Sequence, residues 1–263
     1  MKFNFLKKNK QQIGFDKLNK LNWAAAFLHA IQGIAMLLLA TSFKLPVTTN
    51  YLTFNESTKS LEPATRSLFN IPLAWLVVAF LFMSAIAHLI IVTVYKKTYE
   101  DDLKKGINKA RWVEYAISAS TMMVAIGFLS GIYDLSSLVM IFSLVAIMNL
   151  MGLVMELWNQ LTKRTNWFSF VVGCFAALIP WVVFGTYVWG ASVFGDKGVP
   201  GFVYGIYISI FIFFNCFAVN MYLQYKKVGP WRDYMFGETV YVVLSLVAKS
   251  ALAWQVFAGT LRP

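Results

Sequence analysis

Seven apolar runs of membrane-spanning length divide this chain, and they restrict its fold more than any other feature. They lie at about 22–43, 71–95, 111–132, 135–158, 167–191, 200–226 and 235–260. About 20 residues of helix cross the hydrocarbon core of a bilayer, and each run approaches or exceeds that length. Backbone polar groups cannot stay unpaired in lipid, so runs this long are expected to be helices. The sequence therefore predicts an all-α membrane protein with a bundle of seven transmembrane helices.

The composition supports this prediction and argues against a soluble protein. Apolar residues make up 59% of the chain and charged residues only 13%, whereas a soluble domain is about 25% charged. The net charge of +11 is spread between the runs and forms no basic patch on a soluble domain, which argues against nucleic-acid binding. Cys174 and Cys216 lie inside apolar runs, so neither a disulfide nor a metal site is indicated. No repeat or linker is visible, and residues 1–263 are expected to form one domain.

The distribution of lysine and arginine predicts the orientation of the chain. Of the 23 cationic side chains, 17 fall in the segments 1–21, 96–111, 159–166 and 226–234, and five fall in the alternate segments. Cytoplasmic loops of membrane proteins are enriched in lysine and arginine. We therefore expect a multi-pass protein of the plasma membrane, with its N-terminus in the cytoplasm and its C-terminus outside.

The longest outer segment, at about 44–70, has a pattern of its own. Polar and apolar residues alternate over 48–54, and turn-forming residues follow. Alternation with a period of two is typical of a half-buried β-strand. The sequence thus predicts a small β-hairpin in the outer loop after the first helix.

One lysine, Lys249, lies near the middle of the last apolar run, where a charged side chain is unfavourable. A lysine at that depth costs at least ~2.5–3.5 kcal/mol, so it marks a functional site unless a carboxylate pairs with it for packing alone. A desolvated lysine is suited to Schiff-base formation with an aldehyde. Glu114 is the only carboxylate of the third run and is a suitable counterion. The alternative is that Glu114 faces the headgroups, because it lies barely one turn inside its run while Lys249 lies deeper.

Two histidines lie at matching depth on the cytoplasmic side. His29 and His88 are each about seven residues, or roughly 10 Å, from the cytoplasmic end of their runs. Gln32 shares a helix face with His29, and Ser84 shares one with His88. A lone buried histidine is usually a packed core residue. Two histidines beside a carboxylate instead suggest a proton-accepting cluster of His29, His88 and Gln32.

The sequence resembles the heliorhodopsins over essentially its whole length. All retinal-binding rhodopsins share a lysine in the last of seven helices; the N-inside topology, the segments RWVEY and SLVAKS and the paired histidines are similar to heliorhodopsins in particular. The resemblance implies that Lys249 carries all-trans retinal as a protonated Schiff base, with Glu114 as its counterion. It also implies pocket or near-pocket positions for Ser118, Ser245, Tyr115, Ser84 and Met122.

The same resemblance has further implications. His29 and His88 match the family's cytoplasmic histidines. Trp254 matches a family tryptophan, although it also suits an interfacial anchor. A homodimer and a β-structured outer loop are implied as well.

Light sensing is the function that the sequence favours. In this hypothesis, photoisomerisation of retinal drives a slow photocycle with local proton transfer and signals to an unknown cytoplasmic partner. The alternative is a light-driven ion transporter or a light-gated channel. Outward proton pumps of the microbial rhodopsins typically carry a second carboxylate where this chain has Ser245, and polar groups where it has Ser118 and Ala125. The segment MMVAIGFL also offers no proton path through the outer half.

A third hypothesis is a small-solute transporter that binds no retinal and uses a buried pair of Lys249 and Glu114. Such transporters usually show inverted repeats or interrupted helices, and no repeat is visible. Glu156 and Glu238 lie near cytoplasmic helix ends and are interpreted as solvated or capping residues. No catalytic site is indicated, and we expect that the chain is not an enzyme.

Overall fold

The computed structural model describes the backbone of residues 2–262 and the side chains of residues 14–262. Its helices and strands follow in the order α1 (Lys2–Leu39), β1 (Lys44–Asn55), β2 (Ser60–Pro72), α2 (Leu73–Val92), α3 (Lys96–Lys104), α4 (Lys109–Leu129), α5 (Leu135–Asn159), α6 (Phe168–Phe194), α7 (Gly201–Lys226) and α8 (Tyr234–Val256). A 3₁₀ turn (Gly229–Arg232) precedes α8, and a π-helical turn (Phe257–Leu261) continues it. Within this part of the chain, seven helices are long and apolar enough to cross a membrane. The side chains of Lys2, Lys7, Lys8 and Lys10, which contribute to the predicted orientation, lie outside the described residues.

The seven spans and the hairpin after the first of them confirm the predicted fold class. The helix ends differ from the predicted ranges where polar residues extend a helix beyond its apolar run. Helix α1 begins at Lys2, well before the predicted residue 22, and the part of it with described side chains contributes the span Gly14–Leu39. The third begins at Lys109, since the Asn108 side chain caps it by accepting a hydrogen bond from the Arg111 amide at 3.0 Å. The short helix α3 was not predicted.

The spans from α1 to α6 pack in chain order, and α8 packs against both α7 and α1. α6 contacts α7 through Trp181, which packs on Phe211 and accepts a hydrogen bond from Tyr207 at its carbonyl, so the spans form a closed ring. Because successive spans alternate in direction, α3 lies at one end of the bundle and the hairpin at the other. These are called the α3 end and the hairpin end below. α1, α4, α6 and α8 begin at the α3 end, and α2, α5 and α7 begin at the hairpin end.

The hairpin is tied to the bundle at its base. β1 and β2 are antiparallel, with an irregularity in their register after Val47. The amide of Thr48 donates a hydrogen bond to the carbonyl of Tyr133 at 2.8 Å, in the turn between α4 and α5. In the same turn, the side chain of Asn50 donates to Asp134 Oδ1 at 3.4 Å. The two strands therefore have a fixed position over the hairpin end.

The interior is unevenly divided between the two halves of the bundle. The largest apolar cluster includes Phe80, Met123, Ile126, Ile132 and Phe184, and it fills the hairpin half. A smaller cluster lies at the α3 end, around Phe15, Leu18, Tyr99 and Leu103. The helix segments nearest the α3 end also bury polar side chains, namely Asn22, His88, Asn108, Arg111, Glu156, Gln224 and Glu238. The polar interior of the protein is thus concentrated in the α3 half.

Candidate functional site

A buried ion pair joins the last span to α4. Lys249 Nζ lies 2.7 Å from Glu114 Oε1, and the two side chains are only 4% and 7% exposed. Helical side chains lean toward the N-terminus of their helix, so the Lys249 side chain points toward the α3 end. Its Nζ accordingly donates to Ser245 Oγ, one turn earlier in α8, at 3.1 Å. This direction accounts for the contact between two residues that the sequence places at different depths.

Two further serines complete the hydrogen bonding of the ion pair. Lys249 Nζ donates to Ser84 Oγ on α2 at 2.6 Å. Ser84 Oγ and Ser118 Oγ each donate to Glu114 Oε1 at 2.6 Å. One carboxylate oxygen therefore accepts three hydrogen bonds, including the one from Lys249. Pairing and hydrogen bonding of this kind are what allow two charges to remain buried.

A cavity of about 200 Å³ adjoins the lysine and extends among α4, α5, α6, α7 and α8. Lys249 is the one amine among its lining residues. Most of the wall is aromatic or aliphatic, formed by residues that include Trp112, Tyr115, Met122, Met148, Trp181, Phe214, Phe217 and Tyr241. An apolar cavity beside a single reactive amine suits an elongated apolar molecule that carries an aldehyde.

The predicted pocket residues fall into two groups. Tyr115, Met122 and Ser245 line the cavity together with Lys249. The Tyr115 ring also lies under the lysine, with Nζ 5.2 Å from the ring centroid, and its hydroxyl donates to the carbonyl of Tyr241 at 2.9 Å. Ser84 and Ser118, the second group, contact the ion pair directly, as described above.

The two histidines lie against each other. The rings of His29 and His88 are stacked, with centroids 5.9 Å apart and planes 9° from parallel. His88 Nδ1 lies 2.7 Å from Asn22 Oδ1, while Asn22 Nδ2 donates to the Leu18 carbonyl at 2.9 Å. The amide oxygen therefore faces His88, which assigns the donor proton to Nδ1. His88 Nε2 and both nitrogens of His29 have no partner among the described residues, so His88 Nε2 is a free proton acceptor.

Gln32 is hydrogen bonded elsewhere. Its Nε2 donates to the carbonyl of Leu28 at 3.2 Å, and its Oε1 accepts from the indole of Trp254 at 3.1 Å. In the described part of the chain no hydrogen bond joins Gln32 to either histidine. The structure thus associates Gln32 with Trp254 and not with the histidine pair.

A second buried ion network, which was not predicted from the sequence, lies at the α3 end. Arg111 forms ion pairs with Glu156 on α5 and Glu238 on α8, both of which are 1% exposed. Asn108 donates to both carboxylates, through its backbone amide to Glu156 at 2.8 Å and through its side chain to Glu238 at 2.6 Å. The guanidinium carbon also lies 3.7 Å from the centroid of the Tyr241 ring. Three spans are therefore joined through one cation.

The interpretation of Glu156 and Glu238 as solvated or capping residues is wrong. Both side chains are buried, and Arg111, which was counted among the loop cations, is 5% exposed. The sequence contained one signal for this network. Both glutamates stand inside apolar runs, where a carboxylate requires a cation or a proton.

A small cavity of about 20 Å³ lies between the two ion sites. Its lining residues include Asn22, His88, Tyr99, Asn108, Arg111, Glu114 and Glu238. A cavity of this size has room for one water molecule. Burial raises the pKa of Tyr99 above its usual range, so that its hydroxyl remains a hydrogen-bond donor.

The fold and the site together define a class of protein. A seven-helix bundle, whose last helix carries a buried lysine paired with a carboxylate beside an apolar cavity, is the architecture of a retinal-binding rhodopsin. The sequence model of the heliorhodopsin family matches residues 18–261, and the chain belongs to that family. The resemblance noted in the sequence is thereby confirmed. A comparison with curated protein sequences finds no match.

Solved rhodopsin structures share the fold at low sequence identity. The transmembrane domain of the rhodopsin phosphodiesterase of Salpingoeca rosetta has a TM-score of 0.65 and 14% identity, covering 96% of this chain and 87% of that one. A light-driven proton pump of Leptosphaeria maculans has a TM-score of 0.63 and 17% identity, covering 91% and 95%. Cyanorhodopsin of the cyanobacterium Tolypothrix has a TM-score of 0.58 and 11% identity, covering 95% and 94%. These likenesses show the fold alone, and a shared fold does not establish a shared function.

Proposed function

We propose that the chain is a light sensor that carries all-trans retinal on Lys249, with Glu114 as the counterion. The observation that carries the proposal is the buried ion pair beside the apolar cavity. The residues present fit the group, because the wall is aromatic and aliphatic and Lys249 is the one amine that lines it. When bound, retinal absorbs visible light and isomerises, which changes the surroundings of the nitrogen to which it is attached.

The polar residues hold the charge of that nitrogen in a fixed place. Glu114 Oε1 faces it directly, and Ser84 and Ser118 fix the carboxylate by donating to the same oxygen. A proton that leaves the nitrogen has an acceptor nearby in the stacked pair of His29 and His88, whose free ring nitrogens lack other partners in the described residues. We leave Gln32 out of this proton-accepting group, because its hydrogen bonds go to Leu28 and Trp254.

The distribution of polar groups supports a sensor over a pump. Net transport requires proton carriers along the whole bundle. The hairpin half of α4 instead contributes Met122, Met123, Ala125, Ile126 and Phe128 to a buried apolar core. A proton that moves within the polar α3 half and returns by the same route performs no net transport.

Three further parts of the proposal concern the setting of the protein. The excess of lysine and arginine in the predicted cytoplasmic segments supports a plasma-membrane topology with the α3 end in the cytoplasm. The resemblance to the family supports a homodimer, and exposed side chains on the hairpin, such as Leu52, Phe54 and Leu61, offer it an apolar surface. The signal is passed to a partner at the cytoplasmic face.

The first test is a visible absorption spectrum of the chain expressed with all-trans retinal, beside Lys249→Ala. We expect a visible band in the wild type that is lost in the variant. A band of equal strength in both proteins would refute attachment at Lys249. No band in either would discard the rhodopsin function and favour a transporter that uses the buried ion pair.

Light-induced pH changes in suspensions of expressing cells distinguish a sensor from a pump. A sensor gives no sustained change in external pH on illumination. A change that an uncoupler abolishes would show proton transport and overturn the sensor proposal. A light-gated channel would instead appear as a photocurrent that reverses with the membrane potential.

The histidine assignment has a test of its own. Replacing both His29 and His88 with phenylalanine keeps two stacked aromatic rings but removes every free ring nitrogen. We expect the transient that follows deprotonation of the Lys249 nitrogen to slow or disappear in flash photolysis. A photocycle identical to that of the wild type would refute the proton-accepting role.

A further inference from the structure

A line of polar side chains leads from the histidine pair to α3, and the photochemistry proposed above does not use it. The line begins at the 2.7 Å contact between His88 and Asn22. It continues to Tyr99, which lines the small cavity together with Asn22 and Asn108. Asn108 then donates to Glu238 Oε2 at 2.6 Å. The line thus crosses from α2 through α1 and α3 to the cap of α4 and to α8.

Tyr99 is the member of this line that lies on α3. Its ring is 6% exposed and packs in the apolar cluster with Phe15, Leu18 and Leu103. Other side chains of the same helix are exposed, among them Lys96, Lys97 and Lys104. One face of α3 therefore contacts the buried polar line, and the opposite face forms part of the protein surface.

We propose that Tyr99 couples the charge of the histidine pair to the position of α3, and so carries the light signal to the cytoplasmic surface. This inference rests on the proposed function, because its input is a proton that arrives at the histidine pair. A proton on His88 Nε2 makes the ring cationic, and its Nδ1–H then donates more strongly to Asn22 Oδ1. The Asn22 side chain is drawn toward His88, which changes the wall of the small cavity that Asn22 shares with Tyr99.

The change in charge is confined to the neighbourhood of the histidine pair and the ion pair. Glu114 on α4, which pairs with Lys249 on α8, lines the same small cavity as His88. A proton that moves from the Lys249 nitrogen to His88 therefore transfers positive charge from α8 toward α2 and Asn22. The total charge of the site stays constant, and the change is concentrated at the start of the line.

The position of α3 is sensitive to small changes because the helix is short and few of its side chains are buried. It has nine residues, too few for a helix that is stable alone, so its position depends on tertiary contacts. Those contacts come from the buried side chains Tyr99, Asp102 and Leu103, and Asp102 also pairs with Lys109 at 3.1 Å. Since α3 has so few tertiary contacts, altering one of them changes a large fraction of the interactions that fix its position.

The test is hydrogen–deuterium exchange of the full chain with retinal bound, in the dark and under continuous illumination. In the wild type we expect illumination to change the exchange of the segment 96–106. Tyr99→Phe keeps the ring and removes the hydroxyl, so we expect it to retain the visible band and to lose the light-dependent change. Tyr95→Phe is the matched control: it removes a hydroxyl from the N-cap of the same helix and should behave as the wild type.

A second variant breaks the line from the other side. Asn22→Leu removes the amide between His88 and Tyr99 without changing α3, and it should also abolish the light-dependent exchange. A merely structural role of Tyr99 would change exchange equally in the dark and in the light.

The outcomes separate this inference from the proposed function. A light-dependent change that survives in Tyr99→Phe overturns the coupling role. A wild type that has its visible band and completes a photocycle, but shows no light-dependent exchange in α3, overturns the coupling and leaves the sensor pigment standing. Absence of the visible band from the wild type overturns both.

Discussion

Replacing Glu114 with glutamine removes the charge opposite Lys249 and nearly preserves the shape of the site. The amide oxygen can still accept from Ser84 and Ser118, both of which lie 2.6 Å from Glu114 Oε1. The variant therefore isolates the Coulomb attraction from the hydrogen bonding. We expect the retinal-bound protein to lose the proton of the Lys249 nitrogen at lower pH than the wild type.

The size of the effect follows from the 2.7 Å between the two charged atoms. At an effective permittivity of ~20, unit charges at this distance attract by ~6 kcal/mol. At ~1.36 kcal/mol for each tenfold change, the upper limit is on the order of 10⁴-fold in the proton equilibrium. Relaxation of the site and entry of water reduce this value, and we expect a shift of roughly two to four pH units.

Spectrophotometric pH titration measures this shift directly, because loss of the proton converts the visible band into a near-ultraviolet band. Glu156→Gln is the matched control, since it removes a carboxylate that is equally buried but pairs with Arg111. Its midpoint should remain near that of the wild type. Equal midpoints for Glu114→Gln and the wild type would refute Glu114 as the counterion, and an equally large shift in Glu156→Gln would refute the argument from distance.

Arg111→Gln leaves two buried carboxylates without their cation, and we expect it to lower the free energy of unfolding by ~3–5 kcal/mol, measured by thermal unfolding in detergent. An unchanged unfolding temperature would contradict the structural role of that network. Gly152→Ala places a Cβ 2.3 Å from the Trp112 ring, which lines the proposed retinal cavity, so we expect the visible band to shift; an identical spectrum would count against this packing. Hydrogen bonds, chiefly from Ser136, hold the pKa of Asp134 below its usual value. This stabilisation is complete above about pH 4 and is lost as the pH falls through the folded-state pKa, so Asp134→Asn should flatten the acid dependence of thermal unfolding.

The spans were predictable because their signal extends over some 20 residues each, long enough to outweigh local exceptions. The α3 helix had no such signal. Its sequence, KKTYEDDLK, is polar and short, and its helical state depends on the packing of Tyr99 and Leu103 against Phe15 and Leu18 of α1. Contacts of this kind join distant segments, and a local pattern does not contain them.

The candidate site shows the same division. Lys249 and Glu114 could be identified because a charged side chain within an apolar run is unfavourable and therefore indicates a functional site. Arg111 lies at the edge of its run, and counting cations by loops assigns it to solvent. Its pairing with Glu156 and Glu238 depends on how α4, α5 and α8 are rotated about their axes. Helices that are apolar on all sides have no amphipathic face from which that rotation can be inferred.

The second ion network, around Arg111, is also connected to the cavity beside Lys249. Tyr241 lines the proposed retinal cavity on one side and stacks on the Arg111 guanidinium on the other, with the guanidinium carbon 3.7 Å from the ring centroid. A change in the shape of the cavity that moves Tyr241 therefore also displaces Arg111, the cation that joins three spans. The histidine pair and Tyr99 offer a second route to the same end of the bundle. Because the hairpin half is apolar, both routes lead to the surface that the proposed topology exposes to the cytoplasm, where a signalling partner would bind.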